Sequence, residues 1–321
     1  FDPRPLIVDS FAGGGGASTG IELALGRSPD IAINHSGPAL MLHEANHPDT
    51  LHVRSDIWGV DPGEVTQGRP VGLLWASPDC KHFSKAKGGK PRDRNIRDLA
   101  WVIVRWAEHP TARPEVIAME NVEEFLDWCP VGEDGQILEW LKGQTFREWL
   151  RRLQRAGYRV KWRILRACDF GAPTIRKRFF LIARRDGRPI RWPEPTHGDP
   201  RSAAVKAGRL RPWRTAAECI DWSLPCPSIF ASSAEIMAEH GLRTVRPLAR
   251  NTLARIARGM RRYVLDAEEP FLVNLTHGGR EERAAEPFRT ITGAHRGEKA
   301  VVAPSLTRFN GGATGSDLRD P

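Results

Sequence analysis

One cysteine in this chain stands in a setting that favours reactivity. Cys80 lies in "SPDCKHFSKAKGG", with Lys81, Lys85 and Lys87 close by in the sequence. Positive charge near a thiol favours the thiolate, which is the form that attacks electrophiles. Most lone cysteines are packed free thiols, but Cys80 directly follows the apolar run "VGLLWAS". This position after a predicted buried strand favours a nucleophile over a structural thiol.

A carboxylate and two arginines follow or precede other predicted strands. Glu120 lies in "MENV" at the end of the next strand, and Arg176 and Arg178 stand just before the strand "RFFLIAR". A thiolate beside a carboxylic acid suits addition to a heteroaromatic ring, because the acid can hold or protonate a ring nitrogen. Guanidinium groups suit a phosphate or a pyrimidine carbonyl; a solvated basic loop is the alternative for the arginines.

The segment "DSFAGGGGASTG" combines four glycines with the start of a predicted helix. Glycines allow a sharp turn and a close approach of the backbone to a ligand, beside the free N–H groups of a helix N-terminus. No Gly-Lys-Ser/Thr follows, so this is not a phosphate-binding P-loop. The segment favours a nucleotide-like cofactor over a purely structural turn. Asn34 and Asp56 could bind its ribose and adenine groups, and a surface loop is an equal alternative for each.

Apolar runs and helical patterns alternate along the first half of the chain. The sequence predicts strands in "PLIVDSFA", "DIAINH", "VGLLWAS", "PEVIAMENV", "YRVKWRIL" and "RFFLIAR", and helices in "ASTGIELALG", "PALMLHEANH", "NIRDLAWVIVRWAEH" and "FREWLRRLQRAG". Strands separated by helices predict an α/β fold with a parallel sheet covered on both faces. Ligands bind beyond the carboxyl ends of the strands of such sheets.

Bulk properties narrow the class of protein. The chain has 321 residues and 48 Lys+Arg against 39 Asp+Glu, a formal charge of +9, which favours a polyanionic partner. No apolar run is long enough for a membrane span and the start has no signal pattern. The five cysteines include no Cys-x-x-Cys pair or zinc spacing. We therefore expect a cytoplasmic, nucleoid-associated protein with free thiols and no metal.

The series "DSFAGGGG", "SPDCKHFS", "ENV" and "CDFGAPTIRKR" resembles the DNA (cytosine-5) methyltransferases in order, spacing and chemistry, over roughly residues 6 to 185. "SPDC" and "HFSKAKGG" are similar to a phage-associated branch. The resemblance implies a Rossmann-like S-adenosylmethionine-dependent methyltransferase sheet at residues 1–192. It also implies a smaller, mostly irregular or β target-recognition region at residues 193–321.

The resemblance also implies roles for particular residues. The matching catalytic positions are Cys80, Glu120, Arg176 and Arg178. S-adenosyl-L-methionine, with product S-adenosyl-L-homocysteine, is expected to bind at Asp9, Phe11, Ala12, Gly13, Gly15, Asn34, His35, Asp56, Ile57 and Pro78. Double-stranded DNA is the expected partner, bound by Ser84, Lys85, Lys87, Asn121, Arg255 and Arg258.

The implied reaction acts on a cytosine rotated out of the DNA stack. Cys80 adds to C6 while Glu120 engages N3, C5 takes the methyl group, and loss of the C5 proton with expulsion of Cys80 releases 5-methylcytosine. The chain departs from the family pattern at Asp79 and Lys81, which flank the cysteine, at Asn34 in place of a ribose-binding acid, and at Thr174 in place of a glutamine.

The second half carries the features expected of target recognition. "RPLARNTLARIARGMRRYVL" predicts a basic amphipathic helix that could contact phosphates. "PFLVNLTHGGREERAAEPFRTITG" is echoed by "PSLTRFNGGATGSDLRDP", which suggests that the chain stops inside a structural unit. A missing segment or a second polypeptide would then complete the C-terminal part. The alternative functions are RNA cytosine-5 methylation, non-catalytic DNA binding and nicotinamide-dependent oxidoreduction.

Overall fold

The computed structural model describes residues 4–79, 98–130, 132, 136–261, 271–274, 281–287 and 299–302. Two compact units emerge, one formed by residues 1–165 with 177–193 and the other by residues 166–176 with 194–321. The assignment of a catalytic domain and a target-recognition region to these parts of the chain stays a prediction.

A seven-stranded sheet with the order β3-β2-β1-β4-β5-β7-β6 organises the first half of the chain. Its strands are β1 (Leu6–Ser10), β2 (Ile31–Asn34), β3 (Leu51–Arg54), β4 (Val71–Ala76), β5 (Val116–Asn121), β6 (Arg159–Arg166) and β7 (Lys177–Arg184). The helices along this part are α1 (Gly16–Leu25), α2 (Gly37–Asn46), α3 (Pro62–Thr66), α4 (Trp101–Glu108) and α5 (Gln144–Arg155). The α/β class is therefore confirmed, and each predicted strand has a counterpart.

The predicted parallel pairing holds for β1 to β5 and does not extend to β7. Strands β1 to β5 pair in parallel where they are neighbours, but β7 pairs with β5 antiparallel. The connection from β6 to β7 is residues 167–176, which holds only a short 3₁₀ helix. A parallel return needs a crossover of a dozen or more residues, so this short connection favours a β7 that runs in the direction opposite to β6.

Strand β3 was not among the strands predicted from the sequence. Its sequence is "LHVR", with Leu51 55% exposed, and it lies at the end of the sheet beside β2. A strand at a sheet edge needs no continuous apolar run because only part of it is buried. The usual signal for a buried strand is therefore weak here.

An aromatic cluster packs α5 against the sheet. The ring of Phe125 lies 5.6 Å from that of Trp149 and 5.4 Å from that of Phe179, measured between centroids. The indole N–H of Trp149 donates to the carbonyl of Ala100 at 2.9 Å, so the buried polar group of this large side chain is satisfied. Helix α5 is followed by Gly157 at φ 88°, the stop that the sequence predicted.

The second unit contains short strands and helices. The helices are α6 (Ala203–Lys206), α7 (Ser233–His240) and α8 (Arg250–Met260), and the strands are β8 (His197–Gly198), β9 (Arg211–Pro212), β10 (Phe271–Asn274), β11 (Glu281–Arg283) and β12 (Lys299–Val302). Strand β10 lies between β11 and β12, antiparallel to both. Helix α8, the predicted basic helix, packs closely on β10, because a Cβ atom at Gly259 would lie 2.0 Å from the ring of Phe271.

Candidate active site

Three chain segments that carry the predicted chemistry leave the sheet at one edge. Ser10 at the end of β1 pairs with Ala76 at the end of β4, and Ala76 pairs with Met119 of β5. The amide of Ser77 donates to the carbonyl of Ser10 at 3.3 Å. The glycine-rich turn therefore starts beside the segment that leads to Cys80, and this segment starts beside the end of β5. Cys80 itself, with Ser84, Lys85 and Lys87, lies outside the described residues.

Glu120 forms an ion pair with Arg178 at this edge. Arg178 Nε lies 2.7 Å from Glu120 Oε1, and the two side chains are 17% and 25% exposed. Antiparallel pairing brings these residues together, since Glu120 pairs with Phe180 and Asn121 with Phe179. The sequence predicted both residues as catalytic without predicting that they contact each other.

Burial sets the protonation behaviour of Glu120. Desolvation raises the pKa of its carboxyl above the ordinary value, and the charge and hydrogen bond of Arg178 oppose that rise without cancelling it. The two effects differ in sign because burial penalises the carboxylate whereas a guanidinium stabilises it. A carboxyl with a raised pKa can hold or donate a proton at higher pH than an exposed one.

Asn121 and Pro78 connect β5 to the segment that precedes the cysteine. The amide Nδ2 of Asn121 donates to the carbonyl of Pro78 at 3.2 Å, and its Oδ1 accepts from the amide of Val122. Asn121 is 2% exposed and Pro78 is buried as well. These contacts favour a role for Asn121 in positioning the neighbouring segment, and its predicted contact with DNA stays a prediction.

Arg176 belongs to the second unit. Its backbone amide donates to the hydroxyl of Thr174 at 3.2 Å, and its carbonyl accepts from the amide of Ala167. Thr174, one of the departures from the family pattern, thus shapes the turn that presents this arginine. The catalytic role of Arg176 stays a prediction.

The glycine-rich turn is shaped to leave room beside its backbone. Phe11 and Gly15 have left-handed backbones, with φ 67° and 102°. A Cβ atom placed on Gly13 would meet nothing within 4 Å. The hydroxyl of Ser10 is buried and has no hydrogen-bond partner among the described residues. Open space beside a glycine and an orphaned buried hydroxyl fit a bound polar cofactor at this turn.

The other predicted cofactor residues differ in their surroundings. Asn34 donates from Nδ2 to the carbonyl of Ala12 and accepts at Oδ1 from the amide of Ser36. His35 is exposed, and Asp56 is exposed and accepts from the amide of Trp58 at 3.2 Å. Ile57 is 7% exposed. Asn34 therefore supports the turn, and contacts of these four residues with a cofactor stay predictions.

A buried polar network next to the turn was missed by the sequence analysis. Asp9 accepts from Ser18 Oγ at 2.7 Å, and Ser18 Oγ lies 2.9 Å from His43 Nε2. His43 Nδ1 in turn lies 2.9 Å from His52 Nε2. Polar residues at positions 43, 46 and 47 have the i, i+3, i+4 spacing of one helix face. This spacing was the signal in the sequence from which a polar contact of the helix could have been predicted.

The two predicted DNA contacts in α8 have partners within the second unit. Arg258 Nε lies 3.2 Å from Glu281 Oε1, with the arginine side chain 61% exposed. Arg255 is half-buried and donates to Thr252 Oγ1 at 3.2 Å. Among the described residues, no cluster of His, Cys, Asp or Glu is arranged to hold a metal ion, and no helix there is long and apolar enough to cross a bilayer.

A family model described as "C-5 cytosine-specific DNA methylase" matches residues 6–212, more than half of the 321 residues. The chain belongs to the C-5 cytosine-specific DNA methylase family. This methylase chain is 27% identical over 238 residues to the Type II methyltransferase M.AquIA of Picosynechococcus sp., covering 70% of this chain and 92% of that protein. It is 28% identical over 199 residues to the Type II methyltransferase M1.HphI of Haemophilus parahaemolyticus, covering 59% and 48%.

The methylase chain thus spans about half the length of some relatives and most of another. The solved structure of S. pombe Dnmt2 methyltransferase is similar with a TM-score of 0.51 and 18% identity, over 74% of this chain and 66% of that one. This likeness supports the Rossmann-like methyltransferase fold, and membership of the family is confirmed. The assignment to a phage-associated branch stays a prediction.

Proposed function

We propose that this protein is a DNA (cytosine-5-)-methyltransferase that uses S-adenosyl-L-methionine and a covalent adduct between Cys80 and C6 of an extrahelical cytosine. The observation that carries the proposal is the arrangement of the sheet edge. There the glycine-rich turn starts beside the segment that leads to Cys80, and this segment starts beside the end of β5, which holds Glu120. Family membership supports the same reaction.

In the proposed reaction, each protein group has one task. The Cys80 thiolate forms a bond to C6 while Glu120 delivers a proton to N3, so that C5 becomes electron-rich. Arg178 holds the Glu120 carboxyl at 2.7 Å and fixes its direction toward the base. When bound at the turn, S-adenosyl-L-methionine supplies an electrophilic methyl group. A base then removes the C5 proton, and the C6–sulfur bond breaks to release Cys80.

The proposed partners and location follow from this activity. Double-stranded DNA is the substrate, held against a chain of formal charge +9, and the protein acts in the cytoplasm on nucleoid DNA. Relatives are named as Type II methyltransferases, which fits a role in DNA modification.

Transfer of a labelled methyl group to duplex DNA, followed by bisulfite sequencing, tests the proposal. We expect labelled 5-methylcytosine at defined sites with wild-type protein, and no turnover with Cys80→Ala, which retains binding of S-adenosyl-L-homocysteine. The matched control is Cys129→Ala, because Cys129 is a buried cysteine elsewhere in the chain. DNA containing 5-fluorocytosine should trap wild-type protein covalently. Full activity of Cys80→Ala, or methylation of tRNA in preference to DNA, would contradict the proposal.

A further inference from the structure

The last residue of helix α2 and the residue that follows it contact the glycine-rich turn through polar side chains. Asn46 Nδ2 donates to the carbonyl of Gly14 at 2.7 Å. His47 Nε2 lies 3.1 Å from the carbonyl of Gly15 and 3.2 Å from Thr19 Oγ1. His43 is one helical turn before His47 and is fully buried. The position of this helix face therefore fixes the carbonyl groups of the turn.

His43 also contacts the residue that joins the two ends of the turn. It reaches Ser18 in the first turn of α1, and Ser18 donates to Asp9 in β1, just before the turn. Asp9, Ser18 and His43 are 2%, 0% and 0% exposed, so water does not compete for these hydrogen bonds. The strand before the turn and the helix after it are thus joined by the Ser18 hydroxyl, and the His43 imidazole holds that hydroxyl in place.

The hydrogen bonds determine the tautomers of His43 and His52. The single O–H of Ser18 donates to Asp9, so the Ser18 oxygen accepts from Nε2–H of His43. Neutral His43 then accepts at Nδ1, and His52 donates from Nε2–H across the 2.9 Å contact. One added proton is tolerated, because a single N–H still lies between the rings. A second added proton places two N–H groups face to face and breaks the contact.

We propose that His43 and His52 are positioning residues that hold the glycine-rich turn in its cofactor-binding form, and that uptake of a second proton by this pair weakens cofactor binding. The inference rests on the proposed function of the turn. The charged and titratable groups that face the pair are Asp9 from β1, Glu44 from α2 and His47 just after α2. Glu22 of α1 contacts His47.

The surroundings support resistance to the second proton. Burial lowers the pKa of His52 below its ordinary value, and the neighbouring His43 lowers it further, while Glu44 acts in the opposite direction. Because His52 is only half-buried, it remains within reach of solvent protons. The second proton is therefore taken up only as the pH falls below the ordinary range of a histidine.

Nitrogen-detected NMR of the imidazoles in the ligand-free full chain tests the geometry without any activity. At about pH 8 we expect Nε2–H on both His43 and His52. On acidification, one ring of the pair should resist protonation until below the ordinary value of about 6.5. Independent titration of both rings near that value, or an Nδ1–H tautomer on His43 at pH 8, would overturn the proposal.

Binding of S-adenosyl-L-homocysteine across the same pH range tests the coupling. We expect the wild-type Kd to rise by up to about tenfold per pH unit once the second proton binds. His52→Gln keeps a donor for His43, so it should bind normally at about pH 8 and lose this dependence. His52→Ala removes the donor and should bind less tightly even at pH 8. His240→Gln, in the second unit, is the matched control and should behave like wild type.

The outcomes separate this inference from the proposed function. A wild-type pH dependence retained in His52→Gln would overturn the positioning role, whatever the methylation activity. Tight binding of S-adenosyl-L-homocysteine without methylation of DNA would contradict the proposed reaction and leave the positioning role supported. Failure of wild-type protein to bind the compound at pH 8 would overturn both the cofactor site and the coupling.

Discussion

At the scale of single residues, Glu120 combines burial with a guanidinium partner. A carboxyl held 2.7 Å from Arg178 is usually ionised more readily than a free one, yet the pKa of Glu120 is raised because desolvation outweighs the ion pair. The Glu120 carboxyl is therefore held in one orientation and can carry a proton when a cytosine base binds. Such tuning is common where a carboxyl acts as a general acid.

Glu120→Gln should lower the rate of methyl transfer by about 10²- to 10⁴-fold, the usual contribution of a positioned acid. Gln keeps a hydrogen-bonding group of similar size but has no acidic proton. Single-turnover methylation of duplex DNA would measure the loss, with S-adenosyl-L-homocysteine binding unchanged. Glu123→Gln is the control, because Glu123 is exposed and lies three residues after Glu120. Equal rates for Glu120→Gln and wild type would rule out acid catalysis by this residue.

Arg178→Ala should raise the pKa of Glu120 further, because it removes the groups that lower it while burial remains. Carbon-detected NMR of labelled glutamate carboxyls would follow this titration, and Arg151→Ala on exposed α5 surface would leave it unchanged. A fall in the pKa of Glu120 would contradict the burial argument.

The raised pKa of Glu120 makes the stability of the folded protein depend on pH. A carboxyl with a raised pKa in the folded state contributes stability below its unfolded pKa, and this contribution is lost as pH rises through the folded value. Glu120→Gln should remove this component of the pH dependence of the free energy of unfolding. Denaturant unfolding of both proteins across that range would measure it.

At the scale of elements, the join between β1 and α1 depends on backbone conformation. Gly15 is the N-cap of α1, with φ 102° and ψ 5°. A Cβ atom there would lie 2.8 Å from the His47 ring. The turn is therefore limited both by its own dihedral angles and by the helix face that packs on it.

Gly15→Ala should destabilise the protein by about 1–3 kcal/mol, because it forces an L-residue into this conformation. Gly20→Ala within α1 is the matched control. Its Cβ atom would meet nothing within 4 Å, so it should stabilise by about 0.5–1 kcal/mol through helix propensity. Urea unfolding of the three proteins measures both effects, and the same sign for both substitutions would contradict this account.

At the scale of the whole molecule, excess positive charge should govern the strength of DNA binding. The formal charge is +9, and each phosphate contact made by Lys or Arg releases counterions. Contacts of this kind raise affinity for any duplex but do not read its sequence. Any preference for a DNA sequence would therefore depend on other contacts.

Affinity for duplex DNA should fall steeply between about 50 and 200 mM salt. If Arg258 contacts a phosphate, Arg258→Gln should reduce the slope of log K against log salt by about one. Glu239→Gln on exposed α7 surface should not reduce it. Fluorescence anisotropy at several salt concentrations would measure the slopes. An unchanged slope for Arg258→Gln would indicate that its ion pair with Glu281 persists in the complex.

The sequence by itself determined most of the elements of the sheet and the types of chemical group. Apolar runs, helical spacing and glycine stops predicted β1, β2, β4 to β7 and the helices α1, α2, α4, α5 and α8, because local burial patterns and backbone preferences encode them. Motif order identified the family, and strand ends predicted Glu120 as a residue at the ligand-binding edge.

Only the tertiary structure decided how distant residues meet. The antiparallel course of β7 brings Arg178 onto Glu120, and the packing of α2 places His43 between Ser18 and His52. These contacts join residues from 9 to 58 positions apart. Local sequence patterns report burial and dihedral preference but not which remote side chains share a buried volume, because that depends on the packing of the whole sheet and its helices.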